Sequence, residues 1–218
     1  MMKSDTQLKH DVNAELEWDP AIGAAHVGVA VENGVVVISG HLRSYAEKSA
    51  VERAVQRVAG VRAIAVEADV KLEPQHQRSD AEIAAAIETA LRWHAQIPAD
   101  RIRVRVEKGR VTLSGDVDWD YQRHNAELVV RPLTGVVQLS NKISLRARRT
   151  PEYIEQRIRD ALARYAEREA RRVEVQVEGS VATLRGKVGS WPEREAVQAA
   201  AWLAPGISRV INELRIEP

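Results

Sequence analysis

The 218-residue chain contains no cysteine and no phenylalanine. Without cysteine there is no disulfide, no thiolate nucleophile and no Cys-ligated zinc or iron–sulfur site. Without phenylalanine, five tryptophans and four tyrosines are the only aromatics, so the cores must be built from aliphatic side chains. No apolar run approaches the roughly 20 residues of a membrane-spanning helix, and the opening MMKSDTQLKHD lacks the apolar stretch of a signal peptide. The expected location is therefore cytoplasmic, with room for peripheral membrane association; a periplasmic location follows only if a leader has been removed. Neither sign of charge dominates either: 32 basic against 31 acidic residues give a net charge of +1, which argues against a nucleic-acid-binding field.

What is present is an ordinary folded composition, 44% hydrophobic and 29% charged, with the charge distributed unevenly. Residues 1–75 carry 8 basic and 11 acidic side chains, residues 76–149 carry 13 and 9, and residues 150–218 carry 11 of each. Attraction to an anionic surface should concentrate in the middle third.

These thirds are copies of one unit. VAVENGVVVISGHL from Val29, VRVEKGRVTLSGDV from Val104 and VQVEGSVATLRGKV from Val175 repeat one pattern. Gly40, Gly115 and Gly186 lie 75 and 71 residues apart, and Gly60, Gly135 and Gly206 repeat both offsets. A period this long exceeds a solenoid unit, so each copy can own a core, and the expected domains are 1–75, 76–149 and 150–218.

Each copy reads α-β-β-α-β. Helix starts are marked by Ser4, Ser79 and Thr150-Pro151. Apolar stripes follow: Leu8, Val12, Leu16; Ile83, Ile87, Leu91; Ile154, Ile158, Leu162. Alternating Val27, Val29, Val31 and their counterparts form a strand, and Gly34, Gly109 and Gly179 allow a tight hairpin turn. The third glycine stands one place earlier, which predicts a different turn type or register. Capping boxes at Ser44/Glu47 and Ser190/Glu193 start the second helix, with Asp118 expected to cap it in the middle copy. Gly60, Gly135 and Gly206 are expected as left-handed caps at its end. Right-handed crossover then places both helices on one face of a three-stranded mixed sheet, an α+β fold.

This pattern, with V-x-V-E-x-G-x-V-T-L-S-G-x-V at 104–117 and Gly-Val at 60–61 and 135–136, resembles the BON domain of bacterial osmotically inducible and nodulation proteins. The resemblance implies a stress-response or transport-associated protein that binds phospholipid, or a chaperone-like binder of polypeptides. A cytoplasmic relative with one such domain binds potassium, so ion sensing is an alternative.

Candidate chemistry is sparse. The histidines (His10, His26, His41, His76, His94, His124) fall in no metal-ligand spacing and read as surface residues. Gly40, Gly115 and Gly186 lie between strand and helix but lack phosphate-loop spacing, so they read as turn residues. Neither enzyme activity nor a cofactor nor a metal is expected. The clearest charge pattern is Arg101, Arg103 and Arg105, alternating with Ile102, Val104 and Val106, with Arg110 on the partner strand. Read as a ladder on the solvent face of one strand, they would hold anionic headgroups. Trp119 and Tyr121 flank the start of the second helix as interfacial candidates. Trp18 and Trp93, at matching ends of the first helices, and Tyr165 are expected in packing, as are Tyr45 and Trp191.

Overall fold

The computed structural model describes residues 3–146, 153–165 and 173–217, with side chains of the fifth helix described to residue 161. The first repeat begins where the Ser4 hydroxyl accepts a hydrogen bond from the Gln7 N–H at 3.2 Å, opening α1 (Asp5–Trp18). Its stripe of Leu8, Val12 and Leu16 is fully buried. Strand β1 (Val27–Glu32) pairs antiparallel with β2 (Val35–Leu42), and α2 (Tyr45–Arg57) crosses back to a third line of chain parallel to β2. That line is interrupted, as β3 (Ala63–Val66) and β4 (Asp69–Val70). Both pair with β2 in one register, Val35 with Ala63 and Leu42 with Val70. The ladder also continues across the break, through Glu67 N–H to the Ile38 carbonyl at 2.8 Å.

The second repeat runs α3 (Asp80–Trp93), β5 (Ile102–Glu107), β6 (Arg110–Val117), α4 (Asp120–Val130) and β7 (Gln138–Leu145), with sheet order β5-β6-β7. The third runs α5 (Ile154–Tyr165), β8 (Val173–Glu178), β9 (Val181–Val188), α6 (Trp191–Trp202) and β10 (Arg209–Ile216). Its helix-start pair Thr150-Pro151 and the side chains of Leu162 and Tyr165 lie outside the described residues. Residues Lys3–Ser144, holding the first two repeats, form one compact unit, and Leu145–Pro218 another.

Each central strand is the spine of its core. Val36 and Ile38, Val111 and Leu113, and Ala182 and Leu184 are buried against the helices, while the alternate residues face away from them. The edge strands bury most of their valines only partly, because an edge has a neighbour on one side alone, with Val175 of β8 the fully buried exception.

The repeated glycines do three different jobs. Gly40, Gly115 and Gly186 take φ of 109°, 128° and 132°, a region closed to side chains. A Cβ on Gly40 or Gly115 would also stand 2.1 Å from the carbonyl oxygen of His26 or Arg101 on the edge strand's approach. In the hairpins, Asn33-Gly34 and Lys108-Gly109 both have positive φ, the signature of a type I′ turn. In the third hairpin only Gly179 does, so the turn type changes while the Glu178–Val181 closing pair keeps the register. Gly60, Gly135 and Gly206 are not helix caps. Each is the third residue of a β-turn closed by Val61 N–H to Val58, Val136 N–H to Leu133 or Ile207 N–H to Ala204, where positive φ makes a type II turn. The turn drops the following Val61, Val136 or Ile207 into the core.

One contact was not expected from sequence. The first carboxylate of α1, Asp5, accepts from the N–H groups of Asn33 and Gly34 at 2.7 and 3.0 Å. Asp80 does the same for Lys108 and Gly109 at 2.8 and 2.9 Å. Each carboxylate ties the start of a helix to the tip of its hairpin, and the two backbone donors hold the Asp80 carboxyl below its ordinary range.

Substituting Gly115→Ala should destabilise by about 3 kcal/mol or more, since neither φ nor the carbonyl approach admits a Cβ; urea unfolding reads the shift. Asp80→Asn should unfold at lower urea at pH 6. Because the folded-state value of Asp80 is depressed below 3.8, its contribution is present above that pH and lost as pH falls through the folded value. Wild type and variant should therefore draw together in urea titrations as the pH falls below 3.8.

Candidate functional site

The arginine ladder is only partly a ladder. Arg101 lies in the 3-10 turn Ala99–Arg101 ahead of β5, and its guanidinium binds the Asp118 carboxylate at 2.9 Å. Asp118 is thus engaged by Arg101, and the N-cap position of α4 is Trp119, not Asp118. Instead the Gln122 side chain accepts from the N–H groups of Asp118 and Trp119 at 3.0 and 3.1 Å, half of a capping box. In the first and third repeats the corresponding Glu47 and Glu193 reach Arg43 N–H and Gly189 N–H. Buried Glu47 also accepts from Gly23 N–H at 2.6 Å, fastening the α1–β1 loop to the start of α2.

Arg103 and Arg105 do share the outward face of β5, opposite Ser114 and Thr112. Arg105 is paired with Glu107 at 2.9 Å, both exposed. Arg110 stands across from Glu107 at the hairpin end. Arg103 and Arg110 are exposed and have no ion pair among the described residues. They are separated by four residues along the strand, about 13 Å at 3.3 Å per residue.

Arg103 belongs to the other end of the sheet, where β5 starts, β6 finishes and α4 begins. Trp93 reaches that end too, because Asp80 holds the first turn of α3 at the hairpin and the helix runs away from it. The Gln96–Asn125 hydrogen bond at 3.1 Å joins the loop after Trp93 to α4. Trp93 is 86% exposed and Tyr121, in the first turn of α4, is 45% exposed, while Trp119 is half-buried.

The expectation that the paired tryptophans pack is overturned: Trp18 is 83% exposed, like Trp93. Both stand at the last position of an amphipathic helix whose buried stripe has ended two residues earlier, at Leu16 or Leu91. The other aromatics divide. Tyr45 packs between repeats, its hydroxyl 3.5 Å from the Leu139 carbonyl, and Trp191 is half-buried with the Arg194 guanidinium 5.5 Å above its ring.

Around Tyr45, α2 meets the second repeat. Burial, then the charges of Glu127 and Glu52, raises the Tyr45 phenol above its ordinary value. Burial likewise raises the Glu52 carboxyl, against the pull of Lys48 and Arg131. Arg131 binds Glu127 at 2.6 Å, and its Nε is buried without a partner. Of the histidines, His94 is half-buried with Nδ1 also unpartnered, and the other five are exposed. Among the described residues no group of three or more histidine and carboxylate side chains gathers in a metal-binding arrangement. No described helix is long and apolar enough to cross a membrane.

The BON domain family model matches residues 4–71, 79–147 and 151–218. The chain belongs to the BON domain family. Its three BON repeats account for nearly the whole sequence. No curated protein matches it at a significant level. Among solved structures, it is similar to CdsD, a structural protein of the type III secretion system of Chlamydia trachomatis, at 20% identity over 97% of this chain and 93% of that one, with a TM-score of 0.26. The C-terminal domain of the same CdsD aligns at 20% identity over 99% and 100%, with a TM-score of 0.25. At these scores the likeness transfers nothing to the BON repeats described above.

Glu52→Gln should stabilise the protein at pH 7 by up to about 1 kcal/mol, discounted for partial exposure. A raised folded-state value favours the protonated acid, an advantage present below 4.5 and lost as pH rises through the folded value. The difference between wild type and variant in chemical denaturation should accordingly vanish in acid.

Proposed function

We propose that the protein is a non-enzymatic binding module whose second BON repeat rests on anionic phospholipid surfaces. The observation that carries this reading is the exposed Trp93, at the same end of the repeat as Tyr121 and the unpaired Arg103. An amphipathic ring gains by sitting at a headgroup boundary, and each cation nearby adds about 1 kcal/mol on an anionic membrane. Trp18 offers a second ring at the matching place of the first repeat. The middle third also holds the excess of basic residues.

One feature favours polypeptide binding as a second reading. The outward face of the first sheet carries Ala30, Val35, Val37, Ala63 and Ala65 beside Glu32 and Ser39, with Gly28, Ala30 and Val35 at the places where the second sheet carries Arg103, Arg105 and Arg110. An aliphatic sheet face beside an open edge strand is a surface on which an unfolded chain can rest.

Liposome flotation tests the lipid reading. The protein should float with phosphatidylglycerol-containing vesicles at low salt, less at moderate salt, and not with neutral vesicles. Trp93→Ala combined with Arg103→Glu should reduce partitioning about tenfold or more, by the loss of an anchor and a reversal of charge. Flotation unchanged by this double substitution would refute the site, and suppression of client aggregation without lipid would favour the second reading.

A further inference from the structure

We infer that a cleft between the first and second repeats is a binding site for a small phosphorylated organic anion. The cleft encloses about 140 Å³, well below the roughly 300–1,000 Å³ of a drug-sized site, so its ligand is a small molecule. It lies within the compact unit Lys3–Ser144, between the start of α2, the linker and the turn after α4.

Its lining is one-sided in charge. Arg43, His76 and Arg131 contribute basic groups, Ser44 and Thr134 contribute hydroxyls, and no carboxylate side chain lines it. The acids that neutralise the arginines stand behind them. Glu127 engages Nη2 of Arg131 at 2.6 Å, and Glu47 lies 3.4 Å from Nη2 of Arg43.

Backbone donors add to the set. Thr134 and Gly135 are the central residues of the β-turn closed by Val136 N–H to the Leu133 carbonyl, and neither of their N–H groups donates a hydrogen bond among the described residues. The start of α2 brings its partial positive charge to the same cleft. Two guanidinium groups, the His76 imidazole and two hydroxyl residues line the cleft, a set of donors suited to phosphate oxygens. Leu72 and Leu133 supply an apolar wall, which favours an organic phosphate over the bare ion.

The site is separate from Trp93 and Arg103, so its failure and that of the membrane reading are distinguishable. Calorimetry on the full chain with glycerol 3-phosphate, inorganic phosphate and glycerol as probes should give saturable binding of the first, weaker binding of the second and none of the third. Arg131→Gln should weaken the first at least tenfold. Arg43→Gln, at an exposed guanidinium, should weaken it about threefold or more, while Arg103→Glu should leave it unchanged. The proposal is overturned if neither phosphate binds saturably, including where the chain binds only phosphatidylglycerol vesicles, or if both the Arg43 and Arg131 variants bind as wild type.

Discussion

The fold depends on the close passage of two backbones at the end of each central strand. At Gly40 and Gly115 the chain comes so near the carbonyl opposite that a Cβ would stand 2.1 Å from its oxygen, and φ lies beyond 100° at all three equivalent glycines. That conformation bends the strand where it leaves the hairpin and sends it into the second helix. The helix must then return along the covered face to reach a third line parallel to the spine. Were the strand to continue straight, the buried residues of α2, α4 and α6 would have no sheet to cover.

Two secondary ties hold this frame. Carboxylates at the start of the first helix grip the hairpin tip in repeats one and two, and Glu47, Gln122 or Glu193 holds the backbone at the opposite end. The third repeat has Pro151 where Asp5 and Asp80 stand, and it also has the displaced turn glycine. These two departures belong together: a turn with a single positive φ presents its amides differently from a type I′ turn, and the sequence has no aspartate at the equivalent position.

Architecture was legible in the sequence because it is written in backbone requirements. Period-two valines, helical stripes and glycines at fixed offsets identify the elements and their order. The misreadings concern partners. Gly60 and its counterparts looked like helix caps because they follow a helix, yet their closing hydrogen bond belongs to the next turn. Asp118 looked like a cap because it precedes one, yet Arg101 holds it. The carboxylate grip of Asp5 spans 28 residues to Asn33, and no local pattern announces so distant a contact.

The surface was less legible still, because a charge in the sequence is not a charge available to a ligand. Of the four arginines in the ladder, Arg101 and Arg105 already have carboxylate partners, and Arg103 and Arg110 stand at opposite ends of the face. Exposure works the other way for the aromatics. With no phenylalanine in the chain, the large rings looked indispensable to the cores, but Leu, Ile, Val and Ala fill those cores and leave Trp18 and Trp93 outside. Two rings exposed at the same place in successive repeats are not a packing remainder, since each helix ends its buried stripe before reaching them. The scaffold is constant where it must fold and varied on its outer face, so the first sheet presents aliphatic groups and the second presents cations on the same framework.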